Sequence, residues 1–503
     1  MVSKVMTIAP QGFNGQLIEV ESDTFNGLPS LQIVGLGNKS IDEARERVKS
    51  AIANSYLDYP KKKITINLAP AEIPKDGTHY DLPIALSILC SSNQIKQEEL
   101  KDSIFAGELA LDGAVRAVRG SLIIAETAKS LGFKSIYMAE VDCKQATIIS
   151  GINLYPVSNL KQLYLHLKGE IKIEPLKKQS AISMDAGLDN IFIDDIKGQE
   201  QAKRALLIAA SGRHNILLTG PPGTGKSMLA KSLVTLLPPL SEDEQIAVTK
   251  IYNLAGQSEG EIINQRPFRS PHHTASRASI IGGGKKANPG EVSLAHLGVL
   301  FLDELPEFPK NIIESLRQPL EDRKISVNRV EGNYVYPCDV MLVGTMNPCP
   351  CGYYGHKEKN CTCTPLQIHA YQRKISGPVL DRIDIVVNVS SIEHEMILNN
   401  SLYNNQHSDY VKIIKNAKKI QNNRYRSSFI YNSNLSNKNI SSAVSLANEA
   451  KQLLNTAAKK FELSARAYIK TIKVARTIAD LSQSDEILES HIAESLQYRM
   501  LNY

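Results

Sequence analysis

Residues 214–227 read HNILLTGPPGTGKS, a short apolar strand that runs into a glycine-rich loop and then into a helix. Ile216, Leu217 and Leu218 have the composition of a buried strand, and the MLAKSLVTLL stretch that follows is spaced as a helix whose N-terminus faces an anion. Gly220, Gly223 and Gly225 leave backbone N–H groups bare, and with Pro221, Pro222 and Thr224 they complete a G-x-x-x-x-G-K-S loop that cradles phosphates. Lys226 adds a point charge toward the β and γ phosphates, and the Ser227 hydroxyl is suited to hold Mg²⁺. The stretch therefore reads as a nucleotide site.

A second stretch strengthens that reading. In GVLFLDE, Val299 to Leu302 form a buried strand, and Asp303 and Glu304 follow where it emerges at the carboxyl end of a parallel sheet, the usual place for ligands. Asp303 is suited to the Mg²⁺ water shell, and Glu304 to orienting or deprotonating an attacking water.

At 503 residues the chain exceeds one core, so two or three domains are expected. Lys and Arg outnumber Asp and Glu by 58 to 52, a net charge of +6 that permits an acidic partner such as nucleic acid without requiring one. The N-terminal MVSKVMTIAPQGFNG lacks an apolar signal region, and no run of 18 or more apolar residues occurs, so the expectation is a cytoplasmic protein with no membrane span.

Residues 1–165 alternate strand-like and helix-like runs, the mark of a mixed α/β domain that folds by itself. Residues 166–190 are charged, contain Pro and Gly, lack sustained periodicity and read as a linker. The ATPase-type core is expected over 191–395 and a helical lid over 396–503. Residues 245–297 read as long and loop-rich, with a basic insert at 262–290 that carries Arg266, Arg269, His272, His273, Arg277, Lys285 and Lys286. Such a run is either a solvated charged surface or a contact for a phosphate backbone. A helix is expected over 310–322, then a β-hairpin over 324–338 around a Glu-Gly turn.

Cys90, Cys143 and Cys338 are isolated and read as reduced thiols. The other four form Cys349-Pro-Cys351 and Cys361-Thr-Cys363 within a loop at 349–363. Four thiolates would make a tetrahedral Zn²⁺ site, and the alternative is reduced cysteines packed in a loop.

Three N-terminal stretches, FNGLPSLQIVGLGNKSIDEARERV, INLAPAEIPKDGTHYDLPIAL and FAGELALDGAVRAVRG, resemble the ribosomal-protein-S5-like fold of Lon-type protease domains, in the version attached to magnesium-chelatase-like ATPases. The resemblance departs at the chemistry. The places of the Lon serine and lysine hold His79 and, near Gly120, Ser121 and Leu122, so neither half of a Ser-Lys dyad is present. His79, Tyr80 and Asp81 read as a polar helix start with Asp81 near the N-cap, or as a binding surface.

FRSPHHTAS, NPCPCGY and SGPVLDRID carry the family-level signal. By them the chain resembles the YifB/ComM family of magnesium-chelatase-like AAA+ ATPases over nearly its whole length. The implied fold class is α/β: an S5-like α+β domain, then a P-loop ATPase core with a C-terminal helical lid. The resemblance also implies ATP as substrate, with Gly198 and Gln199 beside the adenine and Asn347 as the polar sensor of the γ-phosphate. Arg382 matches an arginine finger for the neighbouring subunit; by itself it reads as a surface ion pair with Asp381 or Asp384. Arg466 matches the second sensor arginine that closes on the phosphates, and Arg476 reads as structural.

A hairpin at this place projects into a central pore in related proteins, which makes Arg329 a candidate DNA contact beside Arg277, Lys285 and Lys286. The implied assembly is a homohexameric ring that hydrolyses ATP between subunits and threads or migrates single-stranded or branched DNA. The alternatives are a motor that remodels a protein or metal-insertion partner and, against the missing dyad, a Lon-like protease.

Overall fold

The computed structural model describes residues 2–35, 39–177, 191–258, 260–284, 287–329, 332–356, 359–391, 405–436, 438–440 and 444–499. The N-terminal domain begins with strands Ser3–Gln11 and Asn14–Phe25, joined by a tight turn and paired antiparallel. Lys63–Ala69 extends this sheet, and Ser30–Val34 closes its edge in parallel. Helices Lys39–Asn54 and Asp81–Ser91 cover one face, with Val48, Ile52, Leu82, Leu86 and Leu89 buried against the sheet. A second, parallel sheet of Ser103–Phe105, Ser135–Met138 and Asn153–Pro156 completes the domain.

This domain runs further than the sequence indicates. Ile173 is buried, its N–H donates to His166 Nδ1 at 3.0 Å, and Leu176 N–H donates to Leu154 O at 2.8 Å. The expected linker start at 166 is thus too early, because these backbone groups are already committed to the domain. Residues 178–190 lie outside the described residues.

The core is a five-stranded parallel sheet. Its order is Phe268–Arg269, Val299–Leu302, Met341–Met346, Ile216–Thr219, Ile385–Asn388. Apolar strands with no alternation are required where both faces are covered. One face packs helices Glu200–Gly212 and Lys226–Leu236, and the other packs Leu305, Phe308, Ile312 and the hairpin residues Ile325, Val327 and Tyr336. The expected helix at 310–322 is two short helices, Lys310–Ser315 and Arg317–Asp322. Pro319 has no N–H for the Ser315 carbonyl, so the ladder breaks there.

Part of the region expected to be loop is instead the 14-residue helix Glu242–Ala255. Ser241 accepts from Glu244 N–H while the Glu244 side chain accepts from Ser241 N–H, a reciprocal cap, and Gly256 ends the helix in a left-handed conformation. The N-terminal domain is fastened to this helix. Asn253 Oδ1 accepts from Gly120 N–H at 2.7 Å, its Nδ2 donates to Gln145 Oε1 at 2.7 Å, and Lys250 pairs with Glu126.

Helices Gln406–Tyr425, Asn448–Lys460, Ala465–Leu481 and Glu489–Gln497 form the C-terminal bundle. It is latched to the core at Asp384, which meets Lys470 Nζ at 2.5 Å and His214 Nδ1 at 3.4 Å. Burial raises the Asp384 carboxyl, yet Lys470 and His214 outweigh it and hold the group well below the usual range. Arg476 is buried on Asp480 and on the carbonyls of Ser484 and Asp485, a structural role. Residues 396–404 of the expected lid lie outside the described residues.

Candidate nucleotide site

The phosphate loop leaves the carboxyl end of strand Ile216–Thr219 and enters helix Lys226–Leu236. A Cβ on Gly220 would stand 2.2 Å from the Val389 carbonyl oxygen, so only glycine fits beside the neighbouring strand. Gly223 and Gly225 adopt φ of +78° and +84°, which side chains resist. Thr224 Oγ1 ties the turn by donating to Pro221 O at 3.0 Å.

Lys226 Nζ donates to the carbonyls of Gly220 and Pro221, 2.7 Å each, and to Asn347 Oδ1 at 3.2 Å. Burial pushes this ammonium below the usual lysine range, opposed by Asp303 and Glu304. Phosphate oxygens would replace those carbonyls with full negative charge, a stronger partner for a part-buried cation.

Asp303 and Glu304 emerge from strand Val299–Leu302. Ser227 Oγ donates to Asp303 Oδ2 at 3.3 Å, and Thr345 Oγ1 donates to Asp303 Oδ1 at 2.5 Å. Glu304 N–H donates to the same Thr345 hydroxyl at 2.9 Å, with Glu304 itself at φ +51°, a conformation non-glycine residues adopt only when surroundings impose it. Hard oxygens from half-buried Ser227 and exposed Asp303, side by side, match what Mg²⁺ accepts. Sequence reasoning missed Thr345; a lone hydroxyl in the buried strand MLVGTM was its signal.

Gly198 and Gln199, both at positive φ, begin helix Glu200–Gly212, and Gln199 Nε2 donates to Ser390 O at 2.6 Å. They stand just past the end of strand Ile385–Asn388, on the phosphate-loop side of the sheet.

Arg382 and Arg466 are elsewhere. Asn215, Asp339 and Asp384 precede strands Ile216–Thr219, Met341–Met346 and Ile385–Asn388, and they line a cavity of about 570 Å³ at the amino ends of the sheet. Arg213, Arg323, Arg382, Arg466, Lys470 and Lys473 also line it. Both Arg382 and Arg466 pair with Glu321, and Arg382 also donates to Arg317 O at 3.0 Å. Within one chain Arg466 therefore does not reach the phosphate loop. Its guanidinium shares a carboxylate with Arg382 at the opposite end of the strands. Arg382 pairs with Glu321 and not with Asp381 or Asp384, and Glu321 was missed because a lone acid in a helix carries no motif.

The basic insert is also revised. Arg266 is buried, donating to Glu244, to Pro238 O at 2.5 Å and to Leu297 O at 2.7 Å, and Arg269 forms a two-point pair with Glu291 at 2.6 and 2.8 Å. Arg277 is exposed at the first turn of helix Arg277–Ile281. Lys285 and Lys286 lie outside the described residues. Arg329 faces Gly332 across the tip of the expected hairpin, and its side chain is likewise outside them.

Cys349, Cys351, Cys361 and Cys363 bring all four sulfurs within 4.8 Å of one another. Cys90, Cys143 and Cys338 are buried and unbridged. In the N-terminal domain His79 is buried and pushed to about 4 by burial, and neither its Nε2 nor Tyr80 Oη has a partner among the described residues. Asp81 opens helix Asp81–Ser91 next to its N-cap Tyr80, and it is buried in a two-point pair with Arg47, at 2.7 and 3.0 Å.

Models of three magnesium chelatase regions match the chain in order. They are described as subunit ChlI of Mg-chelatase over residues 20–142, magnesium chelatase subunit ChlI over 192–397, and magnesium chelatase subunit ChlI C-terminal over 405–499. The chain is 39% identical over 502 residues to a protein named competence protein ComM from Haemophilus influenzae, covering 99% of this chain and 97% of that one. It is 40% identical over 502 residues to YifB of Escherichia coli, with 100% and 97% covered. The chain belongs to the YifB/ComM family of magnesium-chelatase-like AAA+ ATPases. A more distant relative, the magnesium-chelatase 67 kDa subunit of Heliobacterium mobile, is 30% identical over 197 residues, 32% of this chain and 28% of that one. Membership in an AAA+ family carries with it ATP and Mg²⁺. Among the described residues no helix is long and apolar enough to cross a membrane.

Proposed function

We propose that this chain is the subunit of a homohexameric, ATP-driven ring that translocates or branch-migrates single-stranded or branched DNA in DNA uptake and recombination. The observation that carries the ring is the division of charge between the two ends of one sheet. Lys226, Asp303, Glu304 and Asn347 gather at the carboxyl ends, while Arg382 and Arg466 share Glu321 at the amino ends. A head-to-tail neighbour would bring the second set to the first, and repeating that contact closes a ring.

Within each joint site, the phosphate loop and Lys226 bind the β and γ phosphates, and Ser227 and Asp303 hold the metal. Bound Mg²⁺ neutralises phosphate charge. Glu304 orients the attacking water, Asn347 links Lys226 to the end of the neighbouring strand, and Arg382 with Arg466 from the neighbour meets the charge that builds on transfer. The full-length similarity to a protein named for competence supports DNA as the track. So does exposed Arg277, and so does the hairpin Lys324–Pro337 that carries Arg329. We further read the four clustered thiols as ligands of one structural Zn²⁺.

The test is ATP turnover with and without single-stranded, duplex and branched DNA, alongside the mass of the assembly. The reading expects a hexamer and turnover stimulated by DNA, with the stimulation lost as salt rises, because phosphate contacts release counterions. Turnover indifferent to every DNA, in a chain that stays a single subunit with nucleotide, would sink it. The match to a magnesium-chelatase subunit favours the second reading, a motor acting on a protein partner, which predicts ATP turnover without DNA stimulation.

A further inference from the structure

We infer that the four-cysteine loop is a metal-dependent brace on the phosphate loop, so that zinc loading sets the rate of ATP turnover. This rests on the zinc reading above and adds a regulation to it. A tetrahedral zinc with Zn–S bonds of about 2.3 Å places its sulfurs about 3.8 Å apart. Cys349 Sγ lies 3.3 Å from Cys351 Sγ and 3.6 Å from Cys361 Sγ, and Cys351 Sγ lies 3.5 Å from Cys361 Sγ. Tyr354 N–H donates to Cys349 Sγ at 3.3 Å, a bond that a thiolate accepts better than a thiol.

The loop also touches both sides of the nucleotide site. Cys349 follows Asn347 by two residues, and Asn347 receives the Lys226 ammonium. Pro348 O accepts from Gln372 Nε2 at 3.2 Å, and Gln372 ends the helix Pro365–Gln372, whose N-cap Thr364 directly follows Cys363. One metal would therefore tie the end of strand Met341–Met346 to the start of that helix. Between the two cysteine pairs, Gly352 sits at φ +85° with its N–H donating to Cys349 O at 3.0 Å. A Cβ on Gly352 would stand 2.6 Å from Pro222 Cδ, so the cysteine turn packs directly on the phosphate loop. A cluster that fixes this turn fixes both Pro222 and Asn347, the two sides of Lys226. Without the metal the turn loses this tie, and both supports loosen together.

The experiment uses the full chain under reducing conditions. Zinc content is measured by atomic emission, and turnover is measured before and after a soft-donor zinc chelator that leaves millimolar Mg²⁺ in place. About one zinc per chain, with turnover falling about 10-fold on removal and returning with added zinc, is the expected result. Gly352→Ala is expected to keep its zinc and lose turnover. Gly355→Ala, in the same loop at φ +75° with open space around its Cβ, is expected to keep both. Zinc present but removable without effect on turnover overturns the brace and leaves the zinc reading standing. A chain that neither carries nor takes up zinc overturns both. Gly352→Ala with zinc and full turnover overturns the contact through Pro222.

Discussion

Thr345 stands in strand Met341–Met346, beside the strand that ends in Asp303 and Glu304. Its hydroxyl donates to Asp303 and accepts from Glu304 N–H, so one buried side chain orients both acids. Thr345→Val keeps the branched shape and removes the hydroxyl; turnover should fall about 10-fold with the melting temperature little changed, checked by steady-state kinetics and calorimetry. Glu304→Gln should bind ATP and lose turnover at least about 100-fold, since the amide cannot take a proton. A third residue gives a pH signature. Burial pushes the Asp142 carboxyl up to about 7, against the Val118 N–H that donates to it at 2.9 Å. The folded state then holds a proton that the unfolded chain has released above about pH 4. Stability from this group is greatest below that pH and declines as pH rises to 7. Comparing urea midpoints from pH 4 to 8, Asp142→Asn should lack that decline and exceed the wild type at pH 8.

Among the elements, helix Glu242–Ala255 has its signals in the sequence. The Ser241-x-x-Glu244 cap and the Gly256 stop mark its two ends, although the stretch 245–297 reads as loop-rich by composition. Ser241→Ala should cost about 1 kcal/mol in chemical denaturation, the usual loss for an N-cap hydroxyl. The strands around the nucleotide site were readable because a parallel strand covered on both faces must be apolar throughout. Arg266 and Arg269 were not readable as internal, because a basic residue looks the same in sequence whether it meets solvent or a carboxylate. Their partners, Glu244 and Glu291, lie 22 residues away in opposite directions along the chain.

For the whole molecule, the ring reading makes a complementation prediction. Glu304→Gln and Arg382→Ala should each be nearly inactive alone. Mixed one to one under conditions where subunits exchange, they should recover about a quarter of wild-type sites, since a joint site needs Glu304 from one chain and Arg382 from the next. No recovery in a mixed assembly of proven composition would argue against a shared site. The N-terminal domain belongs to the same machine. Its Gly120 and Ser121, where a Lon-type lysine would stand, are met by Asn253 of the core, and its Gly12 lies against Tyr334 and Val335 of the hairpin. It thus touches both the capped helix and the element that carries Arg329.

The amino-acid sequence alone determined that this chain has a phosphate loop, two acids at a strand end and two closely spaced cysteine pairs. Each is written in adjacent residues, where local spacing sets the chemistry. Only the tertiary structure decided that Arg466 joins Arg382 on Glu321, that Arg266 is internal, and that Gly352 rests on Pro222. Those outcomes depend on strand order and on which distant segments share one end of a sheet. Contacts between residues far apart along the chain follow from packing, which no local pattern encodes.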